Sequence, residues 1–132
     1  MAGRRNTELY IDTREDTKLK DTEIPAGSSS YTSIFSLLRD GTAGAFAFYI
    51  DCEGMGTFNL SYEIDPGIEA GPTVPGYTNE WFIPDYRNPI KTDILPGKVV
   101  IPLKLVIGQF IRFKIEAVDS NLLVNYIRLV IQ

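Results

Sequence analysis

Hydrophobic and polar positions alternate along much of this chain with the period of two that a half-buried β-strand requires. The clearest stretch is Phe110 to Ala117, where Ile111, Phe113, Ile115 and Ala117 fall on one side and Arg112, Lys114 and Glu116 on the other. After the polar turn Asp119-Ser120-Asn121, a second run sets Ile127, Leu129 and Ile131 against Tyr126, Arg128 and Val130. The two runs predict an antiparallel pair closing the chain. Upstream, Phe46, Phe48 and Ile50 alternate with Ala45, Ala47 and Tyr49, and the small residues on the second face predict that both faces are at least partly covered. Glu53-Gly54-Met55-Gly56 predicts a turn whose glycines permit positive φ, leading into Thr57 to Ile64 with Phe58, Leu60, Tyr62 and Ile64 in register. Lys98 to Leu103 resumes the strand pattern, and Pro102 argues for an edge position or an irregularity there. Ser33 to Asp40 fits either period, and its strand neighbours favour a strand.

Two segments break the pattern. Met1 to Ser28 holds eleven of the thirty charged side chains and few apolar ones, which predicts an extended charged arm over residues 1–28. Within it, Glu8-Leu9-Tyr10-Ile11-Asp12 has strand character, provided that Leu9 and Ile11 find an apolar surface to cover; this makes Leu9, Tyr10 and Ile11 candidate partner contacts. Pro25-Ala26-Gly27 and the serines after it are turn and linker chemistry, marking the arm's boundary with a domain over residues 29–132. The second segment, Asp65 to Leu95, contains five of the eight prolines together with Tyr77, Trp81, Phe82 and Tyr86, and has room for one edge strand over Asn79 to Ile83. Roughly seven or eight short strands separated by turn residues predict an all-β protein, a single antiparallel β-sandwich with jelly-roll or immunoglobulin-like connectivity.

Composition narrows the chemistry. The 132 residues suit one domain with a core that needs no disulfide staples, and the lone Cys52, beside the apolar run ending at Ile50, is expected to be buried as a small hydrophobe. Histidine is absent, which removes the commonest general acid or base and the commonest transition-metal ligand. Thirteen basic and seventeen acidic side chains give a net charge of −4, so no nucleic-acid partner is expected. No run approaches the ~18 apolar residues of a membrane span. Met1 to Asp12 lacks the apolar stretch of a secretory signal, and synthesis and folding in a cytoplasm are the expectation.

Neither a G-x-S-x-G nucleophile elbow nor a P-loop occurs, and no cofactor is expected. Carboxylates approach one another in sequence at Asp12, Glu15 and Asp16, at Asp51 and Glu53, and at Glu63 and Asp65. None has an EF-hand spacing, and solvated surface positions are the simpler reading. The aromatic loop is the stronger candidate, since Tyr and Trp offer apolar faces with a polar tip to proteins or sugars. Trp81 and Phe82 are adjacent, however, so a strand there would send one inward, and Trp81 or Phe82 plugging the end of the sandwich is the simpler expectation.

The order "AGSSSYTSIFSL", the strand pair "GAFAFYIDCEGMGTFNLSYEI", a Pro/Gly/aromatic loop and the closing "FIRFKIEAVDSNLLVNYIRLVIQ" resembles small β-sandwich virion proteins of tailed bacteriophages, over roughly Pro25 to Gln132. These are capsid decoration (cement) proteins and head or tail accessory proteins. The resemblance implies a non-enzymatic structural role in the virion, docking on the major capsid protein or another virion protein. Apolar residues in excess of one core imply a homo-oligomer, with a trimer favoured, whose contacts include Tyr77, Trp81, Tyr86 and Tyr126. The alternative expectation is a carbohydrate-binding β-sandwich module that takes a glycan on the aromatic loop 77–86.

Overall fold

The computed structural model describes residues 12–37, 46–67, 78–105 and 108–131. Ten strands are present among them: β1 (Asp12–Glu15), β2 (Thr22–Ile24), β3 (Ser29–Tyr31), β4 (Phe35–Ser36), β5 (Phe46–Gly54), β6 (Phe58–Asp65), β7 (Lys91–Ile94), β8 (Lys98–Leu103), β9 (Phe110–Ala117) and β10 (Leu122–Ile131). No helix occurs among the described residues. The strands form two antiparallel sheets packed face to face as a β-sandwich. Sheet I has the order β1-β10-β5-β8, with β2 also on β10, and sheet II the order β3-β9-β6-β7, with β4 also on β9.

The alternation along each long strand is what drives this packing. Phe46, Phe48, Ile50 and Cys52 of β5 and Ile127, Leu129 and Ile131 of β10 point inward from sheet I. Phe58, Leu60 and Tyr62 of β6 and Ile111, Phe113, Ile115 and Ala117 of β9 meet them from sheet II. Phe48 and Phe113 touch across the interface with ring centroids 4.9 Å apart, and Phe35 lies edge-on to Phe113 at 6.1 Å. Full burial of each such side chain stabilises the fold by about 1.5–3 kcal/mol. Cys52 is part of this core, and burial raises its thiol pKa above the ordinary value.

Three expectations are revised, and one feature that the alternation did not predict is added to them. The two closing runs do not pair with each other, because β9 belongs to sheet II and β10 to sheet I; β5 and β6 are separated in the same way. A period of two assigns each strand an inner face but leaves open whether its neighbour in sequence lies beside it or opposite it across the core. The crossings after β5 and β9 run side by side, with the Val118 N–H donating to Thr57 O at 3.0 Å. Gly54 and Gly56 sit in that contact: a Cβ on Gly54 would lie 2.8 Å from Asn121 O, and one on Gly56 3.2 Å from Ser120 N. These two glycines serve close backbone approach, and neither has a positive φ.

The second revision concerns the expected arm, of which residues 12–28 are built into the sandwich. β1 pairs with the end of β10 from Asp12↔Ile131 to Glu15↔Arg128, and β2 pairs with its start from Leu122↔Ile24. Leu19 and Ile24 are in the core, and two apolar anchors with two ladders are enough to fix so short a stretch. The buried Asp16 carboxylate accepts N–H bonds from Leu19 at 2.7 Å and Ser33 at 2.6 Å, tying β1 to the segment after β3. The Pro25-Ala26-Gly27 turn is a third crossing between sheets, with Gly27 at φ 78°. Leu9, Tyr10 and Ile11 lie outside the described residues.

The added feature is a bulge in β10 between Val124 and Tyr126, where the register against β5 shifts. It resets the alternation so that Leu122 and Val124 face inward in phase with Ile127 and its successors. Third, Asn79 to Ile83 is not a strand; it contributes a single bridge, Ile64↔Phe82. Pro102 lies on the edge strand β8, where a missing N–H costs no ladder bond.

Candidate functional site

The region that departs most from simple sandwich packing is the segment 78–90, which runs along the edge of β6 ahead of β7 and sends Trp81 over the outer face of sheet II. Its attachment begins at Asp65, the last residue of β6, which is 1 % exposed. The Asp65 carboxylate accepts from the Gly67 N–H at 2.8 Å, the Asn79 side-chain amide at 2.7 Å and the Glu80 N–H at 3.1 Å. Phe82 then exchanges both backbone bonds with Ile64, at 2.8 and 2.9 Å. Two residues further back along β6, the Asn88 side chain replaces a strand: its Oδ1 accepts from Tyr62 N–H at 3.1 Å and its Nδ2 donates to Tyr62 O at 3.0 Å. The buried Tyr62 phenol crosses to donate to Tyr86 O at 2.8 Å, and Ile90 N–H donates to Leu60 O at 2.8 Å. Leu60, Tyr62 and Ile64 are the alternate residues whose backbone groups point away from β9, so the loop satisfies in turn the edge that the short β7 leaves open.

Over the sheet itself, Glu63 of β6 and Arg112 of β9 are opposite partners on the outer face. Arg112 donates to Glu63 Oε1 from Nη2 at 2.6 Å and from Nε at 3.0 Å, while Tyr31 of β3 donates its phenol to Glu63 Oε2 at 2.8 Å. The guanidinium lies 3.8 Å from the Tyr31 ring centroid and 4.4 Å from that of Trp81. A planar cation stacked on aromatic faces gains about 0.5–2 kcal/mol per contact, so Arg112 clamps Trp81 down onto the sheet. The hydrogen bond to Glu63 is the main cause that raises the Tyr31 pKa, with burial second, and it keeps the phenol protonated as a donor. The cluster is a latch: each carboxylate oxygen of Glu63 is engaged and the ring faces are turned to the cation.

The latch leaves other side chains outside. Phe82 is 49 %, Ile83 75 % and Tyr86 50 % exposed, although the backbone carrying them is fixed at both ends. Trp81, half-buried on Arg112, is neither a core plug nor a free tip, and Phe82 does not plug the sandwich end either. Tyr86 stacks on the guanidinium of its neighbour Arg87, 5.4 Å from the ring centroid. Tyr126 is brought nowhere near these residues: it lies half-buried on the outer face of sheet I, under the Arg128 guanidinium at 4.3 Å. Tyr77 lies outside the described residues.

All but Glu15 of the carboxylates singled out by their spacing have structural partners among the described residues. Asp12 receives Arg14 at 3.0 Å, Asp51 and Glu53 both accept from the Asn125 amide, and Glu63 and Asp65 are buried in the roles above instead of solvated. No group of three or more metal-ligating side chains occurs among the described residues. Tyr31, Glu63, Asn88 and Arg112 were invisible as a unit in sequence, since they are brought together by pairings over 26 to 49 residues. No protein-family model matches this chain, and no curated protein matches it.

Proposed function

We propose that this chain is a non-enzymatic structural protein of a bacteriophage virion, a capsid decoration (cement) or head or tail accessory protein that docks on a lattice of the major capsid protein or another virion protein. The observation that carries the reading is the nesting of the strand pairs. With β1 and β2 counted as one strand and β3 and β4 as another, the first pairs with the last, the second with the second-last, β5 with β8 and β6 with β7. We read this as one long antiparallel ribbon wrapped on itself, which supports the eight-stranded, double Greek-key connectivity of a jelly roll, an architecture used by viral capsid and lectin domains. It favours the jelly roll over the immunoglobulin-like alternative. A virion component assembled in the host cytoplasm needs no cofactor, and a rigid sandwich with a pre-set contact loop suits it.

A second reading, a carbohydrate-binding module, has one observation in its favour: an open groove of about 260 Å3 on the outer face of sheet II, whose lining includes Asn59, Ser61, Lys114 and Glu116, with Ile83 and Pro89 along one wall. The rings that would stack on a sugar are already held by arginines, at Trp81 by Arg112 and at Tyr86 by Arg87. The test is immunogold labelling and mass spectrometry of purified virions from the phage that carries this gene. Regular, saturable labelling of the particle is expected; absence of the chain from pure virions overturns the reading, and selective retention on a glycan array replaces it with the second.

A further inference from the structure

We propose that the groove on the outer face of sheet II binds a single neutral sugar ring, holding a pair of adjacent hydroxyls on Ser61 and Lys114 and the C–H face of the ring on Ile83 and Pro89. The inference deepens the carbohydrate reading, on whose groove it rests, and moves the site from the aromatic rings to the sheet; a virion component can carry such a site equally well. The order of side chains across β6 and β9 carries it. Three cross-strand pairs lie in a row on this face: Asn59↔Glu116, Ser61↔Lys114 and Glu63↔Arg112. The outer two are closed, the first by Asn59 Nδ2 donating to Glu116 Oε1 at 3.0 Å and the last by Arg112 donating twice to Glu63. The middle pair is open. Neither the Ser61 hydroxyl nor the Lys114 ammonium has a hydrogen bond or an ion pair among the described residues, although both residues are half-buried.

The frame around the open pair is already ordered. Asn59 Oδ1 accepts from Asp93 N–H at 2.9 Å, and Glu63 Oε2 accepts from the Tyr31 phenol at 2.8 Å. Ile83 follows Phe82, whose backbone exchanges both bonds with Ile64, and Pro89 follows Asn88, which holds both backbone groups of Tyr62. Little conformational entropy is therefore lost on binding. At about 260 Å3 the groove falls just below the roughly 300–1,000 Å3 of sites for drug-sized ligands, which suits one ring. The groups left over select the ligand class. Lys114 offers three N–H donors, Ser61 a hydroxyl that donates and accepts, Asn59 its second amide N–H and Glu116 the carboxylate oxygen that Asn59 does not use. Glu116 offsets Lys114, and Arg112 neutralises Glu63, so the groove has no net positive charge to attract an anion. An apolar ligand would strip water from Lys114 and Glu116 and return no hydrogen bond. Hydroxyls on adjacent carbons use both kinds of group at once, one accepting from Lys114 and the other donating to Glu116. No aromatic ring lines the groove among the described residues, so the sugar rests on aliphatic walls alone and the expected Kd is about 1–10 mM.

The experiment titrates the isotope-labelled full chain with the methyl α-glycosides of mannose, glucose and galactose, each to about 100 mM, and follows backbone amide shifts by NMR. Sodium acetate and cyclohexanol are titrated in parallel. Saturable shifts at Ser61, Ile83 and Lys114 are expected for at least one of the three glycosides, whose adjacent hydroxyls are set differently. Lys114→Met is expected to weaken that binding about tenfold and Ser61→Ala about fivefold, while Val100→Ser, on sheet I, leaves it unchanged. Should either groove variant melt below the native chain, Ile83→Asp replaces it, since it alters only an exposed side chain; a loss of about fivefold or more is expected. Absence of saturable shifts at these residues with all three glycosides overturns the proposal. So do shifts of equal strength with acetate, the mark of a bare cation, or with cyclohexanol, the mark of an apolar patch, and so does a Kd that the natively melting groove variants leave unchanged. Every one of these outcomes leaves the virion reading to be decided by labelling, and binding this weak is lost in the washing of an array, so the titration also stands apart from that test.

Discussion

Asn88→Ala tests the manner in which the contact loop is tied to the sandwich. The substitution removes three hydrogen bonds together: those with the N–H and C=O of Tyr62, at 3.1 and 3.0 Å, and the bond donated to Pro84 O at 3.1 Å. A net hydrogen bond contributes about 1 kcal/mol, and Tyr62 is wholly buried, so its backbone groups regain water poorly; the expected loss is about 2–3 kcal/mol. For a chain of 132 residues the unfolding entropy is about 0.28 kcal/mol/K, which converts that loss into a fall in Tm of about 7–11 °C. Amide hydrogen exchange gives the site-specific readout. Tyr62 N–H should exchange about 30- to 150-fold faster as the loop lifts from the edge of β6, while Tyr62-distant core amides such as Ile127 follow the global stability alone. A Tm within about 2 °C of native, together with unchanged protection at Tyr62, refutes the role assigned to Asn88.

Three further outcomes are expected. Gly54→Ala places a methyl group 2.8 Å from the Asn121 carbonyl and should cost about 1–3 kcal/mol, read as a lower urea midpoint at an unchanged m-value; a neutral result would show that the two crossings are not in contact. Arg112→Lys removes the two-point donation to Glu63 and the flat face stacked on the sole tryptophan, so Trp81 emission should shift to the red with about 1–2 kcal/mol lost; an unshifted spectrum counts against the latch. Tyr31 has its pKa raised in the folded state, so its contribution is fully present below the ordinary tyrosine value of about 10 and is lost as pH rises through the folded value. Alkaline melts of Tyr31→Phe should therefore fall less steeply above about pH 10 than those of the native chain, and parallel curves would argue against the bond to Glu63.

The inner face of each long strand was legible from sequence because burial on one side imposes a period that needs no knowledge of the partner. Ile111, Phe113, Ile115 and Ala117 point inward as their spacing predicts, and so do Phe46, Phe48 and Ile50. Neighbour relations were not legible, since the same period suits a strand in a hairpin and one that crosses to the facing sheet; β5 and β6, and β9 and β10, turn on this difference. Polar side chains that organise the chain over long distances were hidden for a related reason. Asp16, Asp65, Asn88 and Asn125 carry ordinary turn or surface chemistry in sequence, and their roles depend on backbone groups up to 26 residues away or on carboxylates more than 70 away. At the candidate site, the aromatic loop was legible as a break in the strand pattern, but whether its rings are buried or exposed was not, and the division between Trp81 as anchor and Ile83 as tip depends on where Arg112 faces.

The position of β10 between β1 with β2 on one side and β5 on the other governs the order in which the chain acquires structure during synthesis. Until residues 122–131 leave the ribosome, β5 has β8 as its only neighbour among the described strands, and β1 and β2 have none among them. Sheet II has its five strands earlier, since β9 precedes β10, yet its inner face has half a sandwich to close against. The nascent chain is thus aggregation-prone until β10 has emerged, and high contact order makes the final closure slow. Loss of β10 through a premature stop would yield no smaller version of the fold but a chain with apolar strands open to its neighbours.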